Sequence, residues 1–208
     1  MAVISLPSAN GTPGADWCAG LPVLSGDLVT LRELRTSDAR SLYAALCRPE
    51  VARFTWPPPS SVEAFERFIE WARAERATGK YICYGIVPRG RGEAVGVFEL
   101  RRLQPGFFRG ELGFVMDPDV WSTGIFSEGA RMLLEFAFEI VKVHRIEARV
   151  AVTNGRGNAA LNKIGARQEG VLEAAFVSEG HYVDQNLWAI LADRTELHPH
   201  GTTMHAHD

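Results

Sequence analysis

The sequence has few cysteines and no excess of positive charge, and each shortage excludes a class of protein. Only three cysteines occur among 208 residues, and they lie far apart at Cys18, Cys47 and Cys83. This number and spacing argue against a disulfide-stapled scaffold, a zinc ribbon and an iron–sulfur protein. The formal net charge is -3, so the chain has no overall positive field with which to hold nucleic acid or an anionic membrane.

Long hydrophobic segments are also missing. No apolar run approaches the roughly 20 residues that a membrane-spanning helix needs. The first ten residues carry no basic segment ahead of their apolar start, so we do not expect a secretory signal peptide. Together these observations predict a cytoplasmic protein without a membrane partner.

The composition that remains is that of one globular domain with less ordered ends. Apolar residues make up 46% of the chain and charged residues 23%, which is typical of a domain with a real core. Residues 1–22 are rich in Ala, Gly, Pro and Ser and predict a flexible arm. Residues 194–208 hold four of the six histidines at a spacing that matches no defined metal site, so we predict a flexible tail and no metal. The folded domain is then expected over residues 23–193.

Strand and helix patterns alternate within this domain. Ser60 and Glu63 form a capping-box pattern that opens a helix ending near Gly79. The strongest helix is predicted between Ala130 and Val141, where apolar residues recur at helical spacing. Further helices are predicted over residues 38–47 and 158–164, and strands over residues 28–34, 81–87, 94–100, 111–116, 145–152, 168–176 and 182–191. This order indicates a mixed α/β sheet with helices packed on it, not an all-parallel doubly wound sheet.

The segment of residues 111–130 carries the first candidate site. A predicted strand runs through a short loop directly into the strongest helix, and the free N–H groups at such a helix start form an anion site. Gly124 permits close approach of the backbone, and Ser122, Thr123 and Ser127 add hydroxyl donors. The loop alone fits either phosphate binding or an ordinary capped turn. It matches neither the dinucleotide-binding GxGxxG pattern nor a P-loop.

A second segment, residues 145–166, runs from a predicted strand into a short helix. Alone, its Asn154 and Asn158 fit turn and capping roles. Together the two segments resemble the GNAT superfamily of N-acetyltransferases, and within it the RimJ/RimL-type branch. The acyl-CoA loop of that branch is similar to Trp121-x-x-Gly124-x-Phe126, and the later pattern N-x-x-S-x-x-(A/V)-L-x-K-(L/I)-G-(F/A) is matched at Asn154, Ala160, Leu161, Lys163, Ile164, Gly165 and Ala166. The order and spacing of these motifs, over roughly residues 23–193, make the resemblance specific.

The resemblance implies a fold, a reaction and a set of site residues. The fold would be of the α/β (α+β) class, a mixed and mostly antiparallel central sheet flanked by helices, with an acyl-CoA cleft between the fourth and fifth core strands. The reaction would move an acetyl group from acetyl-CoA to a primary amine on a protein N-terminus or a small molecule. The resemblance is also compatible with a homodimer. The implied cofactor-binding residues are Phe114, Val115, Met116, Trp121, Ser122, Thr123, Gly124, Ile125, Phe126, Ser127, Asn154, Asn158 and Lys163.

Two residues depart from the family pattern. Phe126 stands where Gly or Ala usually lets the backbone approach the pyrophosphate. Because residues four apart share a helix face, we expect the Phe126 ring to join the core stripe of Leu133 and Leu134 while its N–H still faces the ligand. Gly157 stands where the family has Ser, a hydroxyl to which protonation of the leaving thiolate is assigned in some members. The source of that proton is therefore open.

An acceptor ammonium must lose a proton before it can attack a thioester. The candidate base is Glu111, at the start of the strand that the family uses to hold pantetheine, unless this residue is only a strand-end surface carboxylate. Tyr182 is the candidate proton donor to the thiolate, although a Tyr there also fits packing at a sheet edge. The alternative function is a non-catalytic acyl-CoA-binding module of the same fold.

Overall fold

One sheet of eight strands forms the centre of the protein. The computed structural model describes residues 16–55, 58–178 and 180–192. The strands are β1 (Leu24–Ser25), β2 (Val29–Glu33), β3 (Tyr81–Pro88), β4 (Gly96–Arg102), β5 (Arg109–Met116), β6 (Arg145–Ala151), β7 (Arg167–Ser178) and β8 (His181–Leu191). They lie side by side in the order β1-β2-β3-β4-β5-β6-β8-β7.

Every neighbouring pair of strands is antiparallel except β5 and β6. These two strands are parallel and pair over three positions only, from Arg109 with Arg145 to Glu111 with Glu147. By contrast, β5 pairs with β4 over seven positions, and β6 pairs with β8 over seven. The predicted mixed and mostly antiparallel sheet is therefore confirmed, and it has a gap where β5 and β6 separate.

Helices cover both faces of this sheet. They are α1 (Ala39–Leu46), α2 (Pro49–Ala52), α3 (Val62–Ala77), α4 (Ile125–Phe136), which continues as a π-helical turn over Ala137–Val141, and α5 (Gly155–Lys163). The apolar side of α4 packs on one face, in a cluster that includes Leu31, Phe98 and Ile146. Helices α1 and α3 pack on the opposite face, around Tyr81 and Val97. The apolar stripes therefore decide which face of the sheet each helix covers.

Two helix starts differ from the sequence predictions. Helix α3 is capped by Ser61, whose Oγ accepts a hydrogen bond from the N–H of Ala64 at 3.2 Å, so the capping box predicted at Ser60 is misplaced by one residue. Helix α5 begins at Gly155 rather than near residue 158, because Asn154 caps it. The Oδ1 atom of Asn154 accepts from the N–H of Gly157 at 2.9 Å.

The N-terminal arm is also shorter than predicted. The Trp17 ring contacts the Phe107 ring edge-on at 5.8 Å, and the Tyr84 hydroxyl donates to the Pro22 carbonyl at 3.0 Å. Residues 16–22 are thus packed on the domain, which corrects the arm predicted over residues 1–22. Residues 1–15, and the tail predicted over residues 194–208, lie outside the described residues. None of the helices within the described ranges is both long and apolar enough to span a bilayer.

A buried ion pair fastens β2 to the segments that precede α1 and β4. Arg32 donates to both carboxylate oxygens of Asp38 at 2.8 Å, and the Asp38 side chain is fully buried. The backbone N–H groups of Arg35 and Ala94 donate to the same carboxylate at 2.7 and 3.1 Å. Burial alone would raise the pKa of Asp38, but these hydrogen bonds and the Arg32 charge outweigh it and hold the pKa below its ordinary value.

The substitution Asp38→Asn is expected to destabilise the fold by about 3–5 kcal/mol at pH 7, because it leaves the Arg32 guanidinium buried and unpaired. The folded-state pKa of Asp38 is depressed, so its stabilisation is complete above the unfolded-state value of about 3.9 and is lost as the pH falls through the folded value. The difference between the two proteins should therefore shrink in acid. Urea unfolding at pH 7 and at lower pH measures it.

The matched control is Asp119→Asn, because Asp119 forms its ion pair with Arg48 at the surface, with a side chain 64% exposed. This variant should keep nearly wild-type stability at both pH values, since solvent screens an exposed pair. Equal losses in the two variants would contradict the importance that we give to the buried pair.

Candidate active site

A cleft of about 1570 Å³ opens where β5 and β6 separate. This volume exceeds the roughly 300–1,000 Å³ of a usual small-molecule site, so the cleft has room for two substrates at once. One wall is the second half of β5, and the other is formed by β6 and the start of α5. The cleft also reaches the first turn of α4 on one face of the sheet and helices α1 to α3 on the other.

The first turn of α4 presents unpaired backbone donors to this cleft. Gly124 precedes the helix with φ +91°, a left-handed conformation that favours glycine, and no side chain caps the helix. The first helical hydrogen bond runs from Glu128 N–H to the Gly124 carbonyl at 3.1 Å. The N–H groups of Ile125, Phe126 and Ser127 therefore have no acceptor within the helix, and they lie at its positive end. This arrangement suits an anion such as a pyrophosphate.

The Glu128 side chain holds this turn in place from the opposite side. Its carboxylate accepts the N–H groups of Asp27, Leu28 and Val29 at 2.9, 2.7 and 3.0 Å. A Cβ atom at Gly26 would lie only 2.6 Å from that carboxylate, so the turn before β2 needs glycine to approach it. The Glu128 carboxylate is engaged by these three donors and does not cap its own helix. The N–H groups of Ile125, Phe126 and Ser127 therefore remain available to a ligand.

Two cations stand near the same end of the cleft. The Arg156 guanidinium lies over the Trp121 ring, 3.7 Å from its centroid, and Lys163 lines the cleft from the last turn of α5. A guanidinium stacked on an indole ring is held in position by a cation–π interaction. The phosphate-binding loop predicted from the sequence is thus accompanied by positive charge from α5.

Most of the predicted cofactor residues line this cleft. They are Phe114, Val115, Met116, Trp121, Ser122, Gly124, Phe126, Ser127, Asn154 and Lys163. In two other predicted residues, Thr123 and Ile125, the side chain is engaged elsewhere, so the backbone is the part that can bind a ligand. The Thr123 hydroxyl donates to the Val120 carbonyl at 2.7 Å, and the Ile125 side chain is buried in the core.

Asn158 has a structural role instead of the predicted contact with the cofactor. Its amide nitrogen donates to the carbonyls of Ala151 and Asn154 at 3.0 and 2.8 Å. Its Oδ1 atom accepts from Asn186 Nδ2 and Trp188 Nε1, both at 2.9 Å. With these partners, the side chain fastens α5 to β6 and β8, which corrects the sequence prediction.

Gly157, which departs from the family pattern, has little space for a larger residue. A Cβ atom there would lie 2.8 Å from Asn154 Nδ2 and 3.0 Å from Val150 Cγ1. Asn154 is also the residue whose side chain caps α5. A serine at position 157 would therefore crowd the cap of its own helix.

The Phe126 ring packs against the apolar core at the start of α4. It contacts the rings of Phe114 and Phe98 at centroid distances of 4.8 and 5.6 Å, and it is partly buried at the edge of the cleft. The deeply buried position of the first turn belongs to Ile125. The core cluster against which Phe126 packs includes Leu133 and Leu134, as predicted, and the contacts with Phe98 and Phe114 add to it.

The two predicted catalytic residues have different environments. Glu111 lines the cleft with its side chain 17% exposed, so it is not a surface carboxylate. One of its oxygens accepts from Arg149 at 2.8 Å and the other accepts from Arg101, so guanidinium groups engage both. Tyr182 is 78% exposed near the tip of the β7–β8 hairpin, opposite Val177, where the hairpin extends past the cleft. Tyr182 is not among the residues that line the cleft, which argues against the predicted proton donation.

The structure adds one carboxyl group that the sequence analysis missed. Glu99 lies in the middle of β4, lines the cleft and is hydrogen-bonded to the Tyr81 hydroxyl. Burial raises the pKa of Glu99 above its ordinary value, despite the opposing effects of Tyr81 and Arg101. The sequence signal was a single carboxylate within the otherwise apolar run Val95–Leu100.

A hydrogen bond joins the two walls on the far side of the cleft. The Ser178 hydroxyl, at the end of β7, donates to the Arg53 carbonyl just after α2 at 2.9 Å. Both Arg53 and Phe176 of β7 line the cleft. Strand β7 reaches this position through an irregularity between Leu172 and Phe176, where Ala174 has φ +49°. We call this hydrogen bond the Ser178–Arg53 tie.

Comparison with known proteins agrees with this geometry. Residues 29–167 match the family model described as Acetyltransferase (GNAT) domain. The chain belongs to the GNAT family. The N-acetyltransferase YoaA of Bacillus subtilis, named as uncharacterised, is 28% identical over 174 residues, which are 83% of this chain and 98% of YoaA. The ribosomal-protein-serine acetyltransferase of Escherichia coli is 22% identical, covering 78% of this chain and 92% of that protein.

Solved GNAT structures share the same fold. RimJ of Mycobacterium smegmatis, in complex with CoA-disulfide, superposes with a TM-score of 0.74 at 25% identity, covering 82% of this chain and 87% of RimJ. RimL, a ribosomal L7/L12 alpha-N-protein acetyltransferase in complex with coenzyme A, gives a TM-score of 0.74 at 20% identity, covering 81% of this chain and 97% of RimL. The predicted family, its RimJ/RimL-like branch and the fold class are confirmed. This GNAT protein is an acyltransferase, specifically an N-acetyltransferase.

If the first turn of α4 holds the CoA pyrophosphate, Gly124→Asp should weaken CoA binding about tenfold more than Gly124→Asn does. Both new side chains carry the same bulk and both tolerate the left-handed conformation, so the difference between the variants isolates the added negative charge. The difference should shrink as salt is raised. Calorimetric titration with CoA measures it, and equal affinities in two folded variants would place the pyrophosphate elsewhere.

Phe126→Ala should destabilise the protein by about 2 kcal/mol, less than a fully buried Phe would, because the ring is only partly covered. CoA affinity should stay within about threefold, since the N–H of residue 126 is unchanged. Thermal melting and CoA titration measure both, with Phe108→Ala as a control on an exposed ring. An equally stable variant that binds CoA much more tightly would mean that the ring obstructs the loop.

Proposed function

We propose that the protein transfers the acetyl group of acetyl-CoA to a primary amine bound in the cleft between β5 and β6. The observation that carries this proposal is the first turn of α4. Its unpaired N–H groups open onto a cleft whose wall is a strand without a partner on that side. This combination offers an anion site and an adjacent extended groove, which fits a long acyl donor with a phosphate group partway along it.

The donor is assigned to the α4 and α5 side of the cleft. The N–H groups of Ile125, Phe126 and Ser127 would bind the pyrophosphate, with Arg156 and Lys163 adding positive charge. Backbone groups over Phe114–Met116 would align the pantetheine and the thioester. A donor N–H of that segment would also stabilise the oxyanion that develops on the thioester carbonyl.

The acceptor is assigned to the opposite side, beneath α1 and α3. Apolar side chains that include Leu46, Val51 and Phe65 line this part of the cleft. A relative in Bacillus subtilis is named a putative ribosomal N-acetyltransferase, and one in Escherichia coli is named a ribosomal-protein-serine acetyltransferase. These names favour a protein N-terminus over a small amine as the acceptor. The amine would meet the thioester where the two halves of the cleft join.

Binding both reactants in one cleft supplies much of the catalysis. A neutral amine held close to the carbonyl carbon attacks without the entropic cost of a bimolecular encounter. Glu111 keeps Arg101 and Arg149 in position on the floor of the cleft, since its two oxygens are engaged by their guanidinium groups. To act as the base that we predicted from the sequence, Glu111 would have to take up a proton beside these two guanidinium groups.

Thiol release tests the proposal directly. Purified protein with acetyl-CoA should release free CoA when offered a peptide with a free N-terminal amine, and not when that amine is already acetylated. A panel of small amines at matched concentration then compares the two acceptor classes. The variant Gly124→Asp should require a higher acetyl-CoA concentration for the same rate, because its added charge opposes the pyrophosphate.

A protein that binds CoA with normal affinity but releases no thiol with any amine would contradict the proposal. It would favour the alternative of a non-catalytic acyl-CoA-binding module. Mass spectrometry of the peptide must also show one added acetyl group, because hydrolysis of acetyl-CoA would release thiol without transfer.

A further inference from the structure

Three carboxylate side chains line the cleft in the described part of the chain, and they differ in their partners. Glu50 lies at the rim and forms an exposed ion pair with Arg48. Glu111 lies between two guanidinium groups that engage both of its oxygens. Glu99 instead receives a hydrogen bond from a neutral hydroxyl, that of Tyr81. It is therefore the carboxylate with the greatest remaining capacity to accept a proton.

The register of the sheet places Glu99 against the strand that faces the thioester. Glu99 of β4 pairs directly with Gly113 of β5, in the middle of the segment that lines the cleft. Gly113 carries no side chain, and a Cβ atom there would lie 3.0 Å from Glu99 Oε2. The carboxylate thus lies over the bare backbone of β5, at the floor of the region assigned to the acceptor.

The surroundings of Glu99 are apolar apart from a few identified groups. Val97 on the same strand and Phe65 of α3 belong to the buried cluster around it. Among the described residues, the charged and titratable groups on its face of the sheet include Tyr81 and Cys83 from β3, Arg101 from β4, Glu111 from β5, and Glu147 and Arg149 from β6. Burial keeps Tyr81 protonated, because it raises the pKa of that hydroxyl far above its ordinary value. Tyr81 therefore serves only as a donor to the Glu99 carboxylate.

We propose that Glu99 is the group that takes the proton from the acceptor ammonium, and that Tyr81 is a positioning residue that holds its carboxylate. This inference rests on the proposed function, because it assigns a role within that reaction. A raised pKa supports it, since a base closer to the operating pH transfers protons more effectively than an ordinary carboxylate.

The step balances with the groups in the cleft. One proton moves from the ammonium nitrogen to the Glu99 carboxylate, and the free lone pair forms the C–N bond to the thioester carbonyl. The C–S bond then breaks, and its electron pair leaves on the CoA sulfur. The nitrogen loses its second proton to that sulfur, and Glu99 releases the first proton to solvent. The products are an N-acetyl amide and CoA thiol, with no oxidant, reductant or metal needed.

The decisive measurement is the pH dependence of kcat/KM for Glu99→Gln. In the wild type, kcat/KM should level off between the pKa of Glu99 and that of the amine, because carboxylate and ammonium coexist there. In Glu99→Gln it should be about 100-fold lower near pH 7 and should keep rising toward the amine pKa of about 10, since only free amine then reacts. CoA affinity and melting temperature, measured on the same variant, should change little.

The control for loss of a carboxylate is Glu139→Gln, which removes a charge from a side chain that is 73% exposed and does not line the cleft. Its kcat/KM and pH profile should match those of the wild type. The second variant is Tyr81→Phe, which removes the donor that stabilises the charged carboxylate. The pKa of Glu99 should then rise further, so the acidic limb of the profile should move to higher pH while the plateau rate is largely kept. A merely structural Tyr81 would not shift this limb.

The outcomes separate this inference from the proposed function. A wild-type protein that acetylates amines, beside a folded Glu99→Gln variant with the same rate and the same plateau, would overturn the role of Glu99 alone. If Glu99→Gln does not fold, the test depends on Tyr81→Phe. An acidic limb of its kcat/KM profile at the same pH as in the wild type would then overturn the role of Glu99. A wild-type protein that acetylates no amine would overturn the proposed function itself.

Discussion

The cleft exists because β5 and β6 stop pairing after Glu111. Each of these strands is held along seven positions by an antiparallel partner on its outer side, β4 for β5 and β8 for β6. Only three parallel positions join the two halves of the sheet, and we call these three paired positions the seam. Past that short seam, the backbone of β5 faces open space, and α4 and α5 begin close to it. The anion site at the start of α4, the groove along β5 and the charged residues that line the cleft all depend on this one interruption of the sheet.

The seam also concentrates charge. Glu111 and Glu147 stand directly opposite each other in the parallel register, which would repel if they were alone. Arg149 donates to Glu111 at 2.8 Å, and Arg145 donates to Glu147 at 2.9 Å. Glu111 is therefore part of the electrostatic structure that permits the two strands to meet. This explains why the carboxylate nearest the seam is a weaker candidate for proton transfer than Glu99, which lies one strand away.

Periodicity and motif order predicted most of the fold and most of the residues that line the α4 side of the cleft. The helical stripe of α4 and the loop around Gly124 are local signals, so the chain reveals them directly. The errors and omissions concern contacts that depend on distant segments. The exposure of Tyr182 depends on how far the β7–β8 hairpin extends, and the contacts of Phe126 with Phe98 and Phe114 depend on the register of β4 and β5. Glu99 was missed because its position against Gly113 depends on the pairing of β4 with β5, which a lone carboxylate in an apolar run does not reveal.

The Ser178–Arg53 tie is a weak connection between the two walls of the cleft. The two halves of the sheet pair over three parallel positions only, and the tie joins the end of β7 to the segment after α2 on the far side of the opening. One neutral hydrogen bond contributes only about 1 kcal/mol, far less than the packing of the apolar core that both halves of the sheet share. A substrate whose own contacts replace this hydrogen bond would therefore give up little stability at that edge of the cleft.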